Sequence, residues 1–226
     1  MNLLLHAITP LDAAADTPLA GLREQPLVRV DEQGLAAWAT EFREAPDQLT
    51  RTDLLSHHDL VTRLDERLDA SLPARFPTWV ADVEAVRRII GSRRADLATS
   101  LDRVRGRAEL SVTAVWLTDD DAPPAPGVAT PGKRYLLERR QAFAGSDRRR
   151  QRAGELADDV ERLVGPEDLI EARRQVCPSK TVAMSMALLV PRVRAAEVKA
   201  RLARVEPDVR ILLNGPWPPY SFVAIG

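Results

Sequence analysis

The chain has 226 residues, 45% hydrophobic and 29% charged, which is enough for one large core or two small ones. Lys and Arg number 32 against 33 Asp and Glu, and a net charge of -1 excludes a global attraction to nucleic acid or to an anionic membrane surface. Cys177 is the single cysteine, so an intrachain disulfide and a cysteine-rich zinc cluster are excluded.

No apolar run nears the roughly 20 residues of a membrane span. Met1 to His6 lacks a basic n-region and reads as a first strand rather than a signal peptide. A soluble protein inside the cell is expected. Leu3 to Ile8 is apolar and stopped by Thr9-Pro10, as a buried strand would be. Leu11 to Gly21 reads as a loop. Pro26–Val30 and Leu35–Ala39 flank Asp31-Glu32-Gln33-Gly34, whose glycine marks a hairpin. From Thr52, taken as the cap, Leu54, His58, Val61, Leu64 and Leu68 trace one helical face that ends at Ser71-Leu72-Pro73. Leu72 to Trp79 is extended, because a residue before proline is pushed out of the helical region. Val83, Val86, Ile90, Leu97, Leu101 and Val104 follow a second helical face, bent at Gly91-Ser92.

Gly106 is the expected junction between two domains, 1–105 and 106–226. Beyond it, Leu110, Val112, Ala114 and Trp116 alternate as a strand, and Asp119 to Gly132 is a surface loop. Lys133 to Val164 reads as a long charged helix with Leu156, Val160, Leu163 and Val164 on one face, broken at Gly145-Ser146 or Gly154. Two strands, Ile170–Val176 and Val182–Val190, are joined across Pro178-Ser179-Lys180. A helix over Ala195–Val205 and a strand over Val209–Leu213 complete a β-α-β-β-α-β order. The fold class is therefore α+β, with two domains, the C-terminal one ferredoxin-like. After it, Asn214-Gly215 reads as a reversal, Pro216 to Pro219 as a stiff span, and Tyr220 to Ile225 as an added terminal aromatic strand folded back onto the body.

Residues that could carry chemistry are few. His57 and His58 are adjacent, so on a helix they point about 100° apart and cannot share a metal as an i, i+4 pair does. His6 is distant in sequence. Cys177 has no neighbouring histidine and reads as an inert thiol. Asp119-Asp120-Asp121 lacks the glycine and distal glutamate of a calcium loop. Arg139-Arg140 and Arg148-Arg149-Arg150 with Arg152 spread around a helix, with only Tyr135 and Phe143 as nearby aromatics, so a solvated face is favoured over nucleic-acid binding. No phosphate-cradling loop or nucleophile elbow occurs. No catalytic residue, cofactor or metal site is expected.

Three strings carry a resemblance. Gly215-Pro216-Trp217-Pro218-Pro219-Tyr220-Ser221-Phe222 is similar to the C-terminal signature of the GvpF/GvpL family of gas vesicle proteins. Leu72-Pro73-Ala74-Arg75-Phe76 resembles a second family segment, although Pro77 stands where the family has glycine. Gly132 and Tyr135 in Pro131-Gly132-Lys133-Arg134-Tyr135-Leu136 match a third, and Ala7 to Pro10 resembles the family's opening strand. The resemblance implies a gas vesicle accessory or minor structural protein that takes part in vesicle assembly and is no enzyme. It implies the hydrophobic major wall protein and other accessory proteins as partners, with neither nucleic acid nor membrane, and a place in the cytoplasm on the vesicle. The motif residues are expected to be structural or partner-binding. The alternative is a ferredoxin-like small-ligand sensor or enzyme, which requires a polar pocket.

Overall fold

The computed structural model describes residues 2–11, 20–117, 131–175, 179, 181–204 and 209–223, with the backbone alone for 131–146. Internal contacts divide it into two compact units, Met1–Glu109 with Pro216–Gly226, and Leu110–Gly215.

In the first unit, β1 (Asn2–Pro10), β2 (Leu27–Glu32), β3 (Leu35–Phe42) and β4 (Leu72–Val80) form a sheet in the order β2-β3-β1-β4. All its pairings are antiparallel. The run Leu3 to Thr9 is buried on both faces, as suits a central strand. The hairpin is tighter than expected. β2 continues to Glu32, and only Gln33 (φ 47) and Gly34 (φ 79) make the turn. Two positive φ values in succession give the mirror-image turn that matches strand twist.

Helices α1 (Arg51–Arg67), α2 (Val83–Ser92) and α3 (Arg94–Val104) cover this sheet. Val86 and Ile90 of α2 and Leu97, Leu101 and Val104 of α3 pack with Leu3, Leu5, Ile8, Val30, Ala37, Ala39, Leu72 and Ala74. Leu60 and Leu64 of α1 pack instead with Ala7 and Trp38. The cap of α1 is Thr50 rather than Thr52. Thr50 Oγ1 accepts from Asp53 N at 3.2 Å while the Asp53 carboxylate accepts from Thr50 N at 2.7 Å. Of the expected face Val61 and Leu64 are buried, together with Asp53, His57 and Leu60, whereas Leu54 is exposed and His58 partly so. The α2–α3 bend falls at Arg93.

In the second unit, β5 (Arg107–Trp116), α4 (Pro131–Val164), β6 (Glu171–Gln175), β7 (Val182–Pro191), α5 (Ala195–Leu202) and β8 (Val209–Trp217) follow in sequence. The strands lie in the order β6-β7-β5-β8. Leu110, Val112 and Ala114 meet Met184, Met186 and Leu188, covered by Leu156 and Val160 of α4 and Val198 and Leu202 of α5. α4 is not broken at Gly145-Ser146 or Gly154. A helical glycine costs about 1 kcal/mol, less than is gained by the buried stripe Ala153, Leu156, Ala157, Val160 and Val164. Asp168, buried in the turn after α4, accepts from Arg194 Nε at 3.1 Å and from Arg201, which ties that turn to α5.

The C-terminal stretch departs from the sequence reading. Asn214-Gly215 does not reverse the chain; β8 runs on through Gly215 (φ 105) to Trp217, and Lys199 Nζ donates to Gly215 O at 2.8 Å. Tyr220–Phe222 is a 3-10 turn, not an added strand. Pro218 and Pro219 remove the amide donors a ladder needs. Their carbonyls instead accept from Tyr220 N at 2.8 Å and Phe222 N at 3.1 Å, which closes the turn. Residues 224–226 and the segments with Asp119 to Asp121 and Cys177 lie outside the described residues.

Candidate functional site

His6 interrupts an otherwise apolar strand, and the sheet is irregular around it. Opposite β3, the register shifts between Leu5 and Ala7. Opposite β4, Leu5 pairs with Thr78 and Ala7 with Pro73, so Ala74, Arg75, Phe76 and Pro77 form an excursion facing His6. The second family string, Leu72 to Phe76, leads from the paired Leu72 and Pro73 into this excursion. Leu72, Pro73 and Ala74 are buried, Phe76 packs near Leu4, Leu22 and Phe42, and Arg75 is exposed.

A directed hydrogen-bond chain runs through the site. Ala74 O can only accept, so His57 Nε2 carries the proton and donates to it at 3.2 Å. His57 Nδ1 then accepts from His6 Nδ1–H at 2.8 Å. His6 Nε2, left as an acceptor, takes the Thr40 hydroxyl proton at 2.7 Å, and Thr40 Oγ1 accepts from Leu22 N at 2.9 Å. Gly21 permits that last approach, since a Cβ there would lie 2.6 Å from Thr40 Oγ1. Each ring is thereby fixed in one neutral tautomer. Burial, and then the neighbouring His57, lowers the His6 pKa from 6.5 to about 3; burial lowers that of His57 to about 4, the Ala74 bond opposing.

The first family string docks on the same unit. Glu109, almost fully buried, accepts from Ser221 N and from Ser221 Oγ, both at 2.7 Å. Arg103 donates to Phe222 O. Pro218, Pro219 and Phe222 are buried, and Val223 joins the core with Val104 and Leu101. Tyr220 is held at 6.0 Å from the His58 ring, with its hydroxyl buried. Burial, then Asp65 and Glu109, push its pKa above the ordinary phenol value. Trp217 meets His58 edge-on at 5.8 Å and stays 37% exposed; His58 itself lies one turn of α1 beyond the exposed Leu54 and Leu55.

Two of the three motif strings thus fall in one unit, although they lie far apart in sequence. Gly132 and Tyr135 fall in the first turn of α4, where only the backbone is described. Sequence reasoning missed Thr40, His6 as a partner of His57, and the clasp residues Arg103 and Glu109. The usable signals were a histidine inside an apolar strand and a glutamate on an otherwise uncharged stretch of strand, since each demands a buried partner. Among the described residues no group of three His, Cys, Asp or Glu side chains could hold a metal, and no helix is long and apolar enough to cross a membrane.

The fold and site define an α+β protein of two units, with two of its three signature strings packed into the first. The chain belongs to the gas vesicle synthesis protein GvpL/GvpF family, whose model matches residues 2–224. It is 30% identical to gas vesicle protein L of Streptomyces sp. (strain CB03234) over 83% of this chain and 77% of that one. It is 28% identical to gas vesicle protein L2 of Halobacterium salinarum over 78% and 72% of the two chains. The crystal structure of GvpF from Microcystis aeruginosa matches with a TM-score of 0.77 at 18% identity over 99% of each chain. That of GvpF from Anabaena sp. PCC7120 matches with a TM-score of 0.75, also at 18% identity, over 100% of this chain and 99% of that one.

Proposed function

We propose that this protein acts in gas vesicle assembly as an accessory or minor structural component, in the cytoplasm and on the vesicle, by binding the hydrophobic major wall protein and other accessory proteins. It carries out no reaction in this reading. The observation that carries the reading is the contrast between inside and outside of the first unit. Its His57–His6–Thr40 chain and its Glu109–Ser221 contact are turned inward, whereas Leu54 and Leu55 on α1 are 46% and 53% exposed and present apolar surface. A wall subunit with large apolar surface would be covered by such a patch before assembly. The second unit is assigned as ferredoxin-like, which its element sequence and the strand order β6-β7-β5-β8 support.

The test is co-purification with the major wall protein. Leu54→Ser/Leu55→Ser should reduce capture about tenfold without lowering the melting temperature, since two exposed leucines contribute on the order of 1–3 kcal/mol when covered. Undiminished capture would remove the patch from the reading. Absence of any association, together with normal buoyant vesicles after deletion of the gene, would remove the reading itself.

A further inference from the structure

The outer strands of a sheet present backbone N–H and C=O groups that the sheet leaves unpaired, and folded proteins blunt such edges with charge, proline, bulges or brevity. In the first unit both edges are blunted. β2 places Arg29 and Asp31 in a 2.7 Å ion pair along its short length. β4 carries Pro73, Pro77 and the excursion opposite His6. In the second unit β6 is 5 residues long and includes Glu171, Arg173 and Arg174. The remaining edge, β8, has none of these devices across Ile211-Leu212-Leu213-Asn214. Its one charge, Arg210, precedes that stretch and its one proline, Pro216, follows it. Leu212 is 39% exposed, Asn214 is exposed, and Ile211 and Leu213 pack partly against the helix-covered core.

We propose that the β8 edge pairs with the β8 edge of a second copy of this chain, antiparallel, about a two-fold axis at Leu212. Such an interface is self-complementary, so the strand must match its own reverse. The register with Leu212 opposite itself does so. Ile211 then lies opposite Leu213 on the helix-covered face, and Arg210 lies opposite Asn214 on the other. Apolar side chains meet apolar ones, each guanidinium meets a neutral amide with an acceptor oxygen, and the two Arg210 side chains sit at opposite ends of the pairing. Like charges never face each other, which is the condition an antiparallel pair must meet. Centring on Ile211 instead would set each Arg210 against Leu212. One strand's width of contact is smaller than the roughly 1,200 Å² of a standard stable interface, so association is weak and concentration-dependent.

The geometry makes a sharp test. Directly opposite residues in an antiparallel pair have Cα atoms about 4.5–5.5 Å apart, within the range a disulfide spans. The full chain with Cys177→Ser and Leu212→Cys has one thiol, at the two-fold. A control with Cys177→Ser and Leu54→Cys has one thiol of similar exposure on α1. On mild oxidation of the purified proteins, the residue-212 variant should form covalent dimer about tenfold faster than the control. In sedimentation velocity the otherwise unaltered chain should show a monomer–dimer equilibrium that Leu212→Lys weakens about tenfold or more at unchanged melting temperature. Equal cross-linking of the two variants, or a monomer at every accessible concentration, would overturn the proposal. Capture in cells of a different gas vesicle protein at residue 212, with no self-linked dimer, would give the edge to that partner and overturn it equally.

Discussion

His6 and His57 are neutral in the folded protein because a proton added to His57 Nδ1 would face the His6 Nδ1–H across 2.8 Å, in a site from which water is excluded. In the unfolded chain both rings titrate near 6.5, whereas folding lowers them to about 3 and about 4. The unfolded state therefore binds more protons below about pH 6.5, and stability must fall as pH drops from there through about 4, by up to about 1.4 kcal/mol per pH unit per ring. Urea unfolding at a series of pH values between 7 and 4.5 reads this directly. His57→Met should flatten the slope even though it lowers stability at neutral pH, and an undiminished slope would locate the titration elsewhere. Thr40→Val should cost about 1–3 kcal/mol, since Leu22 N and His6 Nε2 both lose a buried partner. None of this was legible from His57-His58 as a sequence pair. Spacing places Val61, Leu64 and Leu68 on the buried face, where they are, but also Leu54 and His58, which are exposed and partly exposed. A helix start at Thr52 is two residues late. The cue lay in Thr50 with Asp53 at its third position, a pattern that outranks a lone threonine.

At the scale of elements, the terminal string explains its own composition. Pro218 and Pro219 end the ladder after Trp217, the 3-10 turn aims Phe222 inward, and Glu109 fixes Ser221 by both carboxylate oxygens. That the string folds back was legible from three aromatics among three prolines; the form it takes was not, because alternation over Tyr220 to Ile225 mimics a strand. Phe222→Ala should cost about 3–5 kcal/mol in chemical denaturation, as expected for a fully buried ring. Glu109→Gln should cost about 1–3 kcal/mol, because an amide offers one acceptor where the turn presents two donors. Thr50→Ala, which removes the cap of α1, should cost only about 1 kcal/mol. The ranking Phe222 above Glu109 above Thr50 is the sharper expectation, and a reversal would mean that the tail is an ornament on the unit rather than a part of its core. The strands and helices of the second unit were easier to read. Their period-2 and three-to-four-residue alternations each serve one buried face, whereas β1 and β4 carry an irregularity that no local pattern announces.

For the whole molecule, the consequence is topological. The chain leaves the first unit after Glu109, builds the second from Leu110 to Gly215, and returns to the first at Pro216. The second unit is thus an insertion into the first, and the sequence-distant ends of that insertion are β5 and β8, neighbours in one sheet. Neighbouring strand ends are where an insertion disturbs its host least. The expectation follows that residues 1–109 alone do not fold, because Val223 is missing from the core it shares with Leu101 and Val104, and the buried Phe222 and the Ser221 contact with Glu109 are lost with it. Joining residue 109 to residue 216 through a short Gly/Ser linker should restore a cooperative unfolding transition without the second unit at all. Circular dichroism and thermal melts of the two fragments decide the matter. A cooperative melt for residues 1–109 without the tail would show that the clasp of Glu109 on Ser221 is dispensable, and the family signature at the C-terminus would then have to be explained by what binds it rather than by what it binds.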